Sequence, residues 1–263
     1  MPSVLSASAP AIINFDSNED REPSITTVHN GQTHAEIQYA AWMQYDGDPN
    51  STNFHNSVSS NAGGGWSFPV VLQGPRARSG DPMLASNNYV SGLNPQTVYC
   101  GATSYNVAPP PSGAFTDNSL LVWHNSGSGW SYDEFDKHTG TNYFDAQGHY
   151  IDDRWLDDKP SIAVSQHPNT AGTVYVAYLR NPTNGNQQPQ AIGFAMLDDV
   201  TQPNPGQWKV RTDVPIASPG QVQCPIVVVD QTSSEPLGSV YVIYLDWAHD
   251  GIYVYRTSDK GAS

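Results

Sequence analysis

Three features of the 263-residue sequence predict an all-β fold built from repeated antiparallel sheets. Its 22 Gly and 21 Pro lie between short runs of β-branched and aromatic residues, a composition typical of many short strands and turns. Apolar residues show no spacing typical of a helix. One pattern also recurs four times: a polar residue, Pro, an apolar strand, a turn and a second apolar strand. With two further strands per repeat, this pattern predicts the four-stranded blades of a β-propeller.

The first two strands of each repeat are predicted from alternating β-branched and aromatic residues that follow Pro23, Pro82, Pro160 or Pro225. Pro at the start of a strand is tolerated because its missing N–H costs little there. In chain order, the strand pairs are predicted at 22–25 and 38–42, 81–85 and 97–100, 158–164 and 172–178, and 224–229 and 238–244.

A third strand is predicted in each repeat, at 54–59, 119–124, 191–197 and 252–257. A fourth strand is expected in the first three repeats, near Trp66, Trp130 and Trp208. The blades are therefore expected at about 21–74, 79–140, 158–216 and 220–263. Residues 141–157 form a long connection rich in aromatic and acidic residues, which is where functional residues often lie.

Two segments that follow third strands resemble the Asp-box, or bacterial neuraminidase repeat, of sialidase-like β-propellers, written S/T-x-D-x-G-x-x-W. The matching residues are Ser59, Asn61, Gly63 and Trp66 in the first repeat, and Thr257, Asp259 and Gly261 in the fourth. In the second repeat only Gly127 and Trp130 match. The resemblance implies a turn in which a side-chain oxygen caps backbone N–H groups and Trp covers the turn.

The fourth repeat contains three predicted strands, whereas a closed propeller leaves no long strand edge exposed. We therefore expect residues 1–263 to form a single, incomplete domain with about four blades of a six- or seven-bladed propeller. A partner chain at the open edge is the alternative.

Composition limits the partners of this protein. With 25 acidic and 11 basic residues, its formal net charge is −14, which disfavours binding to nucleic-acid phosphates. No apolar run is long enough to span a membrane. Few Lys and many Asn, Ser, Thr, Gly and Tyr residues are typical of a secreted or cell-surface protein. Cys100 and Cys224 are interpreted as two buried thiols, with a disulfide as the alternative.

Meander topology brings the start of each first strand and the end of each second strand to one end of the sheets. This loop face collects aromatic, basic and acidic residues, a mixture that suits carbohydrate binding. The candidate ligand-binding residues are Arg21, Tyr45, Arg154, Trp155, Arg180, Trp247 and His249. The alternative interpretation is a polar rim that solvates the loop ends.

Arg21-Glu22-Pro23 resembles the Arg-Ile-Pro motif of sialidases, and the resemblance implies that Arg21 binds a carboxylate. The Tyr and Glu that sialidases use for catalysis have no assignable counterparts, so the favoured function is glycan recognition without catalysis. One alternative is a glycoside hydrolase or lyase that uses Asp81, Asp158 or Asp246. Another is a structural or assembly module that pairs through an open blade edge.

Asp46, Asp48 and Asn50 place oxygen ligands at alternating positions, like the start of a calcium loop. The alternative is a turn capped by Asx side chains. No cofactor is predicted apart from calcium at this loop, and no cluster has the ligand spacing of a zinc site.

Overall fold

The computed structural model confirms the all-β prediction: it contains seventeen β-strands, and no helix occurs in the residues that it describes. These residues are 20–29, 36–45, 54–62, 65–87, 97–107, 115–127, 129–138, 142–144, 150–152, 155–182, 190–197, 209–211, 221–232 and 234–259. In these segments, therefore, no helix has the length and apolar character needed to cross a membrane.

Four antiparallel meanders account for most of the strands, and each follows chain order. The first sheet consists of β1 (Asp20–His29), β2 (Glu36–Tyr45), β3 (Phe54–Asn61) and β4 (Val70–Leu72). The second sheet consists of β5 (Arg78–Asn87), β6 (Thr97–Val107), β7 (Phe115–Asn125) and β8 (Ser131–His138).

The third sheet consists of β11 (Trp155–Val164), β12 (Val174–Pro182), β13 (Ala191–Leu197) and β14 (Lys209–Arg211). The fourth sheet consists of β15 (Val222–Asp230), β16 (Ser239–Asp246) and β17 (Gly251–Thr257). Between the second and third sheets, β9 (Asn142–Phe144) and β10 (Tyr150–Asp152) pair as a separate two-stranded sheet. Each predicted strand segment thus falls on or beside an observed strand.

The recurring proline marks a bulge at the same place in every sheet. Pairing between the first two strands shifts register across one dipeptide, which ends in Pro23, Pro82, Pro160 or Pro225. A bulge removes Pro from the hydrogen-bonded ladder, so its missing N–H leaves no partner unsatisfied. The residue before Pro has a positive φ in three sheets: 53° at Asp81, 49° at Lys159 and 52° at Cys224.

The first strands of successive sheets contact one another, β1 with β5, β5 with β11, and β11 with β15. Their bulges surround a cavity of about 250 Å³, which we call the central cavity and which all four repeat prolines line. The side chain of Lys159 also donates a hydrogen bond to Asp81, which links the third sheet to the second. The first strand of each of the four sheets therefore borders the central cavity.

Apolar clusters fill the space between successive sheets. Val58 and Leu72 pack against Leu121 and Trp123 between the first and second sheets. Similar clusters lie between the second and third sheets and between the third and fourth. Complete burial of a large apolar side chain such as Leu121 contributes about 1.5–3 kcal/mol, so these clusters stabilise the packing of successive sheets.

The outer face of the fourth sheet remains exposed. Ile226, Val228, Ile252 and Val254 project from the face that does not pack on the third sheet, and Ile252 is 71% exposed. Within the described part of the chain, this sheet has the three strands that were predicted.

The two cysteines are both free, so no disulfide forms between them. Cys100 is completely buried between the first and second sheets, as expected. The expectation of a buried thiol is wrong for Cys224, which is exposed at the central cavity. The reason is that Cys224 occupies the bulge, where the backbone departs from the regular strand.

Side-chain oxygens cap the turns after the third strands. The Asn61 side chain accepts a hydrogen bond from the Gly65 N–H at 3.3 Å, and Asn61 forms an isolated bridge with Trp66. The Thr257 hydroxyl accepts one from the Asp259 N–H at 3.3 Å and donates one to the Asp259 carboxylate. Of the other predicted turn residues, Gly63 and Gly261 lie outside the described residues.

Asn125 caps the corresponding turn of the second sheet, although sequence analysis did not single it out. Its side chain accepts a hydrogen bond from the Gly127 N–H at 2.8 Å, and Gly127 has a φ of 101°. Asn125 precedes Trp130 by five residues, the same interval that separates Asn61 from Trp66. That spacing was the signal that could have identified it.

Candidate functional site

The structure places the described members of the predicted loop face on the third and fourth sheets. Trp155, Asp158 and Arg180 lie where β11 begins and β12 ends, and Asp246, Trp247 and His249 lie where β16 ends. Arg21 and Tyr45 lie in β1 and β2, but their side chains are not among those described. Arg154, Asp46, Asp48 and Asn50 lie outside the described residues.

Five polar residues meet at this end, between the second and third sheets. We call them the inter-sheet cluster: Asp136 and His138 of β8, Asp157 of β11, and Tyr178 and Arg180 of β12. Alternation along a strand explains the grouping, because residues i and i+2 project from the same face. Asp157 and Arg180 are also direct cross-strand partners.

The two carboxylates of the cluster hold its two basic groups. Arg180 donates from Nε to Asp157 Oδ1 and from Nη2 to Asp136 Oδ1, both at 3.2 Å. His138 Nε2 lies 2.8 Å from Asp157 Oδ2 and 3.3 Å from Asp136 Oδ1. The Tyr178 hydroxyl donates to the other oxygen of Asp136. Each carboxylate therefore binds a strand of the neighbouring sheet, which joins the two sheets.

Asn118 of β7 completes this joint through the backbone. Its side chain accepts a hydrogen bond from the Asp157 N–H at 3.1 Å and donates one to the Trp155 carbonyl. The guanidinium of Arg180 lies over the Trp155 ring, 5.3 Å from its centroid, in cation–π geometry. The start of β11 and the partly exposed Trp155 are thus held in a defined position.

Electrostatics keep the cluster ionised near neutral pH. Burial lowers the pKa of His138, but hydrogen bonds to Asp136 and Asp157, together with their charges, outweigh burial and raise it to about 10. For Asp157, burial and the negative charge of Asp136 outweigh the hydrogen bond from His138 and the positive charges of Arg180 and His138, and the pKa is raised to about 6. For Asp136, the partners outweigh burial and the pKa is lowered. Two negative and two positive charges therefore balance.

Stability should fall as pH rises from 6.5 to about 10, because His138 loses its proton over that range. Its pKa is raised in the folded state from 6.5, so its stabilising contribution is complete below pH 6.5 and disappears above pH 10. We expect the urea midpoint of the wild type to decrease across this window more steeply than that of His138→Gln, which carries no titrating imidazole. Parallel curves for the two proteins would contradict the assigned pKa.

Asp136, His138 and Asp157 also offer ligand atoms that lie within 4.8 Å of one another, as a metal site requires. The donor set does not fit a metal ion, however, because the Arg180 guanidinium is hydrogen-bonded to both carboxylates. Arg180 Nη2 is also 2.9 Å from His138 Nε2. A cation of the protein itself thus occupies the position that an ion would need.

The cluster is a joint rather than a reaction centre. Asp157 has no exposed surface, and the other members are almost as deeply buried. A carboxylate that performs acid–base chemistry must come within hydrogen-bonding distance of its substrate. The arrangement therefore supports the loop face mechanically and positions Trp155 at its surface.

A fixed turn presents Trp247 at the same end of the fourth sheet. The buried Asp246 carboxylate accepts hydrogen bonds from the N–H groups of Ala248 at 2.9 Å and His249 at 3.3 Å. It also pairs with His249 Nδ1 at 2.8 Å. The backbone N–H of Trp247 donates to the Gln221 carbonyl at 2.8 Å, yet Trp247 remains 59% exposed.

The three carboxylates considered for catalysis lie on different sheets. Asp81 is paired with Lys159 at the central cavity, and Asp246 caps the turn before Trp247. Asp158 lies partly exposed at the start of β11. These surroundings give Asp81 and Asp246 evident structural roles.

Arg180 was placed in the loop face from the sequence, but its ion-pair partner Asp136, the neighbouring His138 and Asn118, which binds the backbone at the start of β11, were not identified. The i, i+2 spacing of Asp136 and His138, repeated by Tyr178 and Arg180, was a visible signal. It could have shown that each pair shares a strand face, but not that the two faces meet.

The sequence matches no family model. It also matches no curated protein. Among solved structures, an N-acetylgalactosamine deacetylase from F. plautii, determined in complex with blood group B trisaccharide, is a distant neighbour with a TM-score of 0.43 and 12% identity. The similarity covers 85% of this chain and 63% of that protein.

Proposed function

We propose that this protein is a secreted or cell-surface β-propeller of the sialidase-like type that recognises carbohydrate at its loop face. The observation that carries the proposal is the exposed Trp247 side chain on a turn that Asp246 holds in place. Trp155, positioned by Arg180 and Asn118, is a second aromatic group at the same end of the sheets.

The propeller part of the proposal is supported by repetition. All four sheets are chain-order meanders with a proline bulge in the first strand. Their first strands contact one another around the central cavity, as inner strands do at a propeller axis. Capped turns after β3, β7 and β17 have the polar side chains that the Asp-box resemblance implies. The proposed complete propeller has six or seven blades.

Carbohydrate is the proposed ligand because a sugar has an apolar C–H face and polar hydroxyl groups. A fixed aromatic ring beside polar side chains is complementary to both. The ring of an exposed Trp packs on the apolar C–H face, and neighbouring carboxylate or imidazole groups bond the hydroxyls. Trp247 and Asp250 line a recess of about 200 Å³, and His249 lies on the same turn. Since the turn is held before a ligand arrives, little ordering is required on binding.

Recognition without catalysis is favoured over a glycosidase by the environment of the acidic residues. Asp157 and Asp136 are committed to the inter-sheet cluster, Asp81 to Lys159, and Asp246 to its turn. The alternative of a glycoside hydrolase or lyase needs two free carboxylates on either side of a substrate.

Replacing Trp247 by Ala should weaken glycan binding at least about tenfold, as expected for an aromatic hot-spot residue. The probe is an array of sialylated and neutral glycans, followed by calorimetric titration of each glycan that the wild type binds. Phe68→Ala is the matched control, because Phe68 is 90% exposed but lies between β3 and β4 rather than on the loop face. We expect its affinities to equal those of the wild type.

Two results would overturn the proposal. One is a folded wild-type protein that binds no glycan on the array, and the other is unchanged affinity of Trp247→Ala for every glycan that the wild type binds. Release of free sugar from any array glycan would instead support the glycosidase alternative.

A further inference from the structure

A wide cleft lies away from the loop face, between the outer strands of the first and second sheets. Its volume is about 780 Å³, and its walls come from β3, β4, β7 and β8 and the turns between them. We call it the outer cleft. In a meander, the end of the third strand lies opposite the end of the second, so the outer cleft and Trp247 are at opposite ends. A cleft of this size accommodates a small oligosaccharide.

Among the residues that the structure describes, no charged side chain lines the outer cleft, although the chain carries 25 acidic and 11 basic residues. An ionic ligand would therefore find no group of opposite charge within it. The polar groups that do line it are hydroxyls and amides, for example Ser60, Ser131 and Asn125. Such groups can donate or accept hydrogen bonds, as neutral sugar hydroxyls also can.

Aromatic rings form much of the remaining wall, and neighbouring rings hold them in place. Trp130 packs edge-on against Tyr39 with ring centroids 6.3 Å apart. Tyr132 packs against the buried Trp123 with ring centroids 6.2 Å apart, and remains 42% exposed. Rings fixed in this way offer a preformed surface on which the C–H face of a sugar can stack.

The serine side of the cleft is also fixed. Ser59 Oγ donates to the Ser67 carbonyl at 2.7 Å, and Ser67 Oγ accepts the Ser60 N–H at 3.1 Å. These bonds tie β3 to the segment that leads into β4, so both sides of the cleft are set before binding. Together, the uncharged lining, the fixed aromatic rings and the ordered hydroxyls are complementary to a neutral sugar.

We propose that the outer cleft is a second carbohydrate site, selective for a neutral mono- to trisaccharide unit. This site is independent of the loop face and would leave the protein able to hold two glycans at opposite ends. It also stands without the propeller arrangement, because its contacts come from the first and second sheets alone.

The test titrates a panel of neutral trisaccharides (maltotriose, cellotriose and chitotriose) into ¹⁵N-labelled full-length protein. Sialyllactose is the charged comparator. We expect at least one neutral sugar to shift the Trp130 indole N–H resonance saturably, and to bind Tyr132→Ala at least about tenfold more weakly. Tyr132→Phe keeps the ring and should retain affinity, and Trp247→Ala should shift Trp130 as the wild type does.

The Trp130 resonance of the wild type decides the question even where Tyr132→Ala fails to fold. No saturable shift with any neutral sugar overturns the second site, as does a stronger response to sialyllactose. Loss of the Trp130 shift in Trp247→Ala also overturns it, because the two sites would not be independent. Weaker binding of Trp247→Ala to some array glycans, together with an intact Trp130 shift, would support both sites.

Discussion

Replacement of Arg180 by Met should destabilise the fold by about 3–5 kcal/mol, the usual result of removing one partner from a buried ion pair. Without the guanidinium, Asp157 and Asp136 would remain buried with His138 as their one basic neighbour in the cluster. The joint between the second and third sheets would then carry an uncompensated negative charge. The measurement is the free energy of unfolding in urea, followed by circular dichroism at neutral pH.

Arg256→Met provides the matched control. Arg256 pairs with Glu235 at 3.2 Å, but its side chain is 48% exposed, and pairs of this kind contribute about 0–1 kcal/mol. A small effect at Arg256 with a large one at Arg180 would show that burial of the cluster decides the outcome. An Arg180→Met protein as stable as the wild type would mean that the cluster does not join the sheets.

Replacing Gly193 by Ala should also destabilise the protein, by about 3 kcal/mol or more. Gly193 is the cross-strand partner of Tyr178, and a Cβ at this position would overlap the Tyr178 ring. That ring is completely buried, and its hydroxyl donates to Asp136. Overpacking costs about 1–3 kcal/mol, and loss of a hydrogen bond to a charged group about 1.5–3 kcal/mol.

Gly101→Ala is the control for this substitution, since Gly101 is also a buried strand glycine. A Cβ there would lie 3.5 Å from the nearest Ile162 atom, an ordinary contact, so we expect little change in stability. Urea denaturation gives both values, and near-ultraviolet circular dichroism reports the packing of the aromatic side chains as a whole. If both substitutions have equal effects, the close packing of Tyr178 on Gly193 is not what makes Gly necessary.

Local pattern was sufficient to predict the strands of the four meanders, but not β9 and β10, which lie in the segment predicted as a long connection. Alternating apolar residues around Pro160 and Pro225 predicted β11, β12, β15 and β16, because strand periodicity depends on neighbouring residues alone. The Asn61 turn was found in the same way. Cys224 was misjudged because its exposure depends on a bulge at the central cavity, which neighbouring residues do not reveal.

The all-β class, the order of the strands and the recurring proline could be predicted, since each depends on residues close together in the chain. Which polar groups meet depends instead on how the sheets pack. Arg180 reaches Asp136 across 44 residues and from another sheet, and the outer cleft likewise needs residues of β3 and β8 to line one space. Contacts of that kind depend on how faces of separate sheets pack, and a strand's own pattern shows which residues share a face but not which face lies opposite.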